Sequence, residues 1–76
     1  MPFEYLVVLY PRQRRVKVND EFMGQTNTTL EIERGEYDVT LGPPMNYTPV
    51  VQKVDLRNTS SLRPRALVFT PKEINE

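Results

Sequence analysis

With 76 residues, ten basic and ten acidic side chains and a formal net charge of zero, the chain has room for one domain, residues 1–76. It contains neither cysteine nor histidine, which excludes disulfides, thiolate metal centres, the usual zinc ligands, and Ser-His and Cys-His nucleophile pairs. Seven prolines against three glycines, with β-branched and aromatic residues in short runs, favour strands over helices.

A chain of this length buries only roughly 60–65% of the surface its unfolded form exposes. Its core then supplies about 3–5 kcal/mol net. Such a domain relies on regular hairpins, on association with copies of itself, or on a place inside a larger assembly.

The first predicted strand runs from Phe3 to Tyr10 and is apolar on both faces, with Tyr5, Val7 and Leu9 on one side and Leu6, Val8 and Tyr10 on the other. It is therefore either central and covered twice or it presents one face to a partner. Pro11 ends it. No basic leader precedes it, and the apolar run is too short for a signal-peptide core or a membrane span. The expected location is cytoplasmic as written, or the cell envelope if the chain is excised from a larger one.

Arg12-Gln13-Arg14-Arg15 leads into Val16-Lys17-Val18, where the valines alternate with outward-pointing cations. Asn19-Asp20 is a turn signal, and Glu21-Phe22-Met23 forms a short return arm stopped at Gly24. In Thr28 to Ile32 and again in Tyr37 to Leu41, apolar residues fall on every second position, which places them on one strand face. A two-residue Arg34-Gly35 loop would join these arms into a hairpin, setting Ile32 opposite Tyr37, Leu30 opposite Val39 and Thr28 opposite Leu41.

From Gly42 to Pro49 runs the longest irregular segment, carrying Met45 and Tyr47 between prolines. Val54 and Leu56, with Val50 at the same parity, mark a half-buried strand. Arg57 to Ser61 is a polar loop, and Leu62 to Phe69 is the last strand, with Pro64 pointing to a strand start or a sheet edge. Thr70 to Glu76 is expected to fray. The sum is an all-β chain, a small antiparallel β-sandwich of six or seven short strands.

The middle of the chain resembles the PEGA domain, a small β-sandwich module of bacterial and archaeal surface, envelope and regulatory proteins. The resemblance lies in Val16-Lys17-Val18-Asn19-Asp20-Glu21-Phe22-Met23-Gly24-Gln25-Thr26, where the family has a strand, an Asp-Gly-type turn and Gly-x-Thr-Pro. It continues in Leu30 to Leu41, where the family has an apolar alternation, a glycine and an aromatic opening the next strand. Asn27 stands where the family usually has proline, and Asn46-Tyr47 where it usually has Gly-Tyr. The resemblance implies a non-catalytic sandwich module with no cofactor.

Three surfaces are candidates for contact. Leu6, Val8 and Tyr10 on the first strand, with Met45 and Tyr47 in the proline-rich loop, suit a protein partner or self-association. The basic run Arg12, Arg14, Arg15 and Lys17 suits an acidic protein surface or a phosphate backbone, although nucleic acid is disfavoured by the charge balance. Alternatively, Arg15, Lys17 or Lys53 neutralises Glu31, Glu33, Glu36 and Asp38, carboxylates that would otherwise repel across the hairpin. Tyr47 is also a platform on which a carbohydrate could stack, or it folds back over the core edge. The carboxylates lie on an open strand surface without a cleft, and Asn19-Asp20-Glu21 lacks the alternation of a calcium loop, so no catalytic or metal residue is assigned. The sequons at Asn27, Asn46 and Asn58 are read as turn chemistry.

Overall fold

The computed structural model describes residues 3–72, which among themselves form nine strands and no helix. Three elements come from the first third of the chain: β1 (Phe3–Leu9), β2 (Arg15–Val18) and β3 (Glu21–Gln25). The middle supplies β4 (Thr29–Glu33), β5 (Gly35–Leu41) and the two-residue β6 (Tyr47–Thr48). The last are β7 (Gln52–Leu56), β8 (Arg65–Val68) and the two-residue β9 (Thr70–Pro71). The predicted all-β class holds, with two short strands more than the alternation pattern marked.

Two sheets face each other. One is three-stranded in the order β4-β1-β8, and the other four-stranded in the order β3-β2-β5-β7. Both send alternate side chains inward: Leu6, Val8, Leu30, Ile32 and Leu67 from the first, and Val16, Val18, Val39, Leu41, Val54 and Leu56 from the second, are all buried. Each such side chain contributes about 1.5–3 kcal/mol when fully removed from water. Tyr10, Tyr47 and Phe69 close one end of this core, where Tyr47 meets Phe69 edge-on at 5.5 Å between ring centroids.

The predicted hairpin between Thr28–Ile32 and Tyr37–Leu41 does not form. β4 pairs antiparallel with β1, and β5 with β2 and β7, so the two arms lie in opposite sheets. Arg34 alone carries the chain across, and Gly35, at φ 159°, is nearly extended and opens β5 rather than turning. Inward parity nevertheless survives for Leu30, Ile32, Val39 and Leu41, while Tyr37 packs half-buried against the core and Thr28 is exposed. An arch and a hairpin bury the same alternate residues, the first against a facing sheet and the second beside a neighbour.

The β2–β3 connection is a true two-residue hairpin. Asn19 and Asp20 take φ 51° and 68°, the positive pair that a type I′ turn needs. The register slips between Val16–Gly24 and Lys17–Phe22, leaving Met23 as the extra residue of a bulge.

β8 begins directly after Pro64 and lies parallel to β1 at the edge of the three-stranded sheet. The expected frayed tail is corrected for its first residues. Thr70 and Pro71 pair with Thr48 and Tyr47, and the Lys72 N–H donates to the Asn46 carbonyl at 2.9 Å. Glu73 to Glu76 lie outside the described residues.

Candidate interaction surface

β1 divides its side chains into two rows with different fates. The inner row, Glu4, Leu6, Val8 and Tyr10, is buried, with Leu6 and Val8 at 0% exposure. Leu6, Val8 and Tyr10 therefore cannot serve as the contact surface expected of them, because the four-stranded sheet covers that face. The outer row does face solvent: Phe3 is 50% and Leu9 39% exposed, and Tyr5 and Val7 are half-buried.

Register extends this row across the sheet. Val7 stands beside Ala66 on β8 and Leu9 beside Val68, which is 55% exposed. On the other side Phe3, Tyr5 and Val7 stand beside Glu33, Glu31 and Thr29 of β4. The result is an apolar stripe about 20 Å long, from seven residues at about 3.3 Å each, bordered by two carboxylates at its Phe3 end.

Glu4 is an acid on the inner row, and its surroundings explain how it stays there. Its Oε1 accepts from the Thr59 hydroxyl at 2.6 Å and the Thr59 N–H at 2.9 Å, and its Oε2 accepts from Arg34 Nε at 3.2 Å. The Thr59 Oγ in turn accepts the Tyr5 N–H at 2.7 Å. These bonds, the Thr59 hydroxyl first, then the Thr59 N–H, with Arg34 also favouring the anion, hold the Glu4 carboxyl below the usual glutamate range against the opposing cost of desolvation. Nothing in the sequence spacing pointed to this cluster, since Arg34 and Thr59 sit in loops far along the chain.

The basic run is divided rather than gathered. Arg14 turns back onto the protein, donating to Asn46 Oδ1 at 2.6 Å and to the carbonyls of Gly42 and Pro44. Its guanidinium also lies 5.4 Å and 5.1 Å from the Tyr10 and Tyr47 ring centroids. Arg15 and Lys17 flank Phe22 on the outer face of the four-stranded sheet at 4.4 Å and 5.5 Å. Arg12 is exposed and makes no ion pair among the described residues. The four cations thus fall into two groups: Arg15 and Lys17 share Phe22, while Arg12 and Arg14 line one hollow with Lys72.

In the proline-rich loop Met45 projects at 64% exposure, as expected, whereas Tyr47 is only 3% exposed. The Tyr47 hydroxyl donates to the Leu41 carbonyl at 3.0 Å and accepts the Leu41 N–H at 3.3 Å. Its ring folds back over the core edge and leaves no face on which a sugar could stack. Of the acids, Asp38 pairs with Lys53 at 3.2 Å, as anticipated, while Lys17 reaches Asp20 at 4.0 Å and Arg15 reaches none among the described residues. Glu31 and Glu33 have no cationic partner among the described residues.

The family model of the PEGA domain matches residues 6–66. This chain belongs to the PEGA domain family. No curated protein and no solved structure matches it.

The two departures from the PEGA pattern have local reasons. Asn27 holds φ 64°, which proline cannot adopt. Its N–H donates to the Val8 carbonyl at 2.7 Å, while its side-chain amide donates to the Tyr10 carbonyl at 2.8 Å and accepts the Tyr10 N–H at 3.2 Å. Asn46, in place of the PEGA glycine, supplies the side-chain oxygen that Arg14 grips. Both substitutions tie the loops at this end to β1 and to the segment that follows it.

Proposed function

We propose that this PEGA domain is a non-catalytic protein-interaction module whose contact surface is the outer face of the β4-β1-β8 sheet. The observation that carries the reading is the uncovered row Phe3, Tyr5, Val7, Leu9 and Val68 on the central strand and its neighbour. Small soluble domains seldom leave a contiguous apolar patch open unless something docks there. Glu31 and Glu33 border the row, so the matching surface is apolar with cationic groups at one margin.

The chemistry available elsewhere supports a binding role. The chain lacks imidazole and thiol groups, and the one carboxylate withdrawn from solvent among the described residues, Glu4, is engaged in holding the Thr59 loop and Arg34 in place. Photo-crosslinking in the native cell tests the proposal, with p-benzoylphenylalanine at Tyr5 and, as control, at Thr40 on the opposite sheet. A protein adduct, whatever its identity, is expected from Tyr5 and not from Thr40. Adducts from neither position, or from Thr40 alone, would overturn the assignment.

A further inference from the structure

We infer that the partner seated on the outer row is a second copy of this chain, stacked face to face with its β1 antiparallel to the first about a two-fold axis through the middle of the strand. This rests on the interaction-module reading above and adds the identity of the partner. The two ends of the row complement each other.

At one end Phe3 stands out half exposed, flanked by Glu31 and Glu33, which have no cationic partner among the described residues. At the other end a shallow hollow of about 280 Å³ is lined by Leu9, Tyr10, Pro11, Asn27, Val68 and Thr70 among others, and Tyr10 also borders the hollow that holds Arg12, which is exposed and has no ion pair among the described residues.

A two-fold axis perpendicular to β1 brings Phe3 of one copy over Leu9 of the other, and Tyr5 over Val7. Phe3 then meets the hollow, and the carboxylates of β4 lie toward Arg12, at both ends by symmetry. Facing sheets in a sandwich lie about 10 Å apart, within reach of these side chains. An axis along the strands would instead set Phe3 on Phe3 and hollow on hollow. Each copy presents the same surface, so the contact closes at two and leaves no open end for fibres.

Sedimentation equilibrium on the whole chain, with charge reversals, tests this. The wild type is expected to show a concentration-dependent dimer mass. Arg12→Glu and Glu33→Arg are each expected to weaken it by roughly three- to tenfold, counting two symmetric pairs, and the double variant to recover most of the loss. Both side chains are exposed, so folding, checked by circular dichroism, is unaffected.

Because the chain has no cysteine of its own, a mixture of Phe3→Cys and Leu9→Cys chains treated with a bismaleimide reports orientation, the reagent spanning the gap of about 10 Å between facing strands that a direct disulfide cannot bridge. A mixed crosslink supports the antiparallel stack, while like-with-like crosslinks overturn it. A monomer mass up to about 1 mM, or a dimer indifferent to both reversals, also overturns it. A Tyr5 adduct to a different protein would sink the self-association and leave the module reading standing, whereas no adduct at all would sink both.

Discussion

Single residues decide whether the ends of this sandwich hold together, and Glu4 is the most informative. Its carboxyl is held below the usual range by Thr59 and Arg34, so its contribution to stability is fully present above the ordinary glutamate value of about 4.3 and is lost as pH falls through the lowered folded value. Urea unfolding as a function of pH is expected to show the wild type losing stability on the acid side of that value. Glu4→Gln should lower the urea midpoint at pH 7 and flatten the acid decline. Arg14 is the counterpart at the other end, where a planar fork reaches two carbonyls and an amide oxygen at once. Lysine offers a point charge without that geometry, so Arg14→Lys should cost about 1–3 kcal/mol in denaturant titration and raise amide exchange across Pro44 to Tyr47. Restoring the family's proline by Asn27→Pro should be more damaging still, about 3 kcal/mol or more, since φ 64° and a 2.7 Å hydrogen bond to Val8 are both lost.

At the scale of elements, the alternation of apolar residues was a sound guide to which side chains point inward and a poor guide to which strands pair. Leu30, Ile32, Val39 and Leu41 are buried as their spacing predicts, yet β4 and β5 belong to different sheets. Period-two patterning encodes a face, and a face is satisfied equally by an arch or a hairpin. What separates the two here is the insertion of β1 beside β4, a contact between residues near opposite ends of the first half of the chain that no local signal announces. The same blindness applies to β1 itself. Both of its rows are apolar, and the acid at position 4 would place the inner row in solvent, where in fact loop residues satisfy it. Turn chemistry was more legible. Asn19-Asp20 forms the expected turn with both residues at positive φ, so Asp20→Gly should raise stability by under about 1 kcal/mol, the left-handed cost relieved, read as a small rise in melting midpoint. Gly24 is the reverse case: a Cβ there would collide with the buried Leu30 side chain. Gly24→Ala should therefore lower stability by about 1–3 kcal/mol through overpacking.

For the whole molecule, the central strand turns its two rows to different surroundings. Its inner row joins both sheets into one core, and its outer row remains open along the length of the sheet. The buried Tyr47 offers no face to a sugar, and the contact surface proposed for the molecule is the outer row, with Glu31 and Glu33 at one end. Adjacent residues of β1 should therefore answer very differently to the same insult. The most direct check is the thermal unfolding of Val7→Glu beside Val8→Glu. The account predicts that, at concentrations low enough for the wild type to be monomeric, Val7→Glu melts cooperatively within a few degrees of it, whereas Val8→Glu, with a carboxylate forced into a fully buried site, loses more than about 3 kcal/mol and does not fold at ordinary temperature. A Val8→Glu chain that folds normally while Val7→Glu collapses would contradict it.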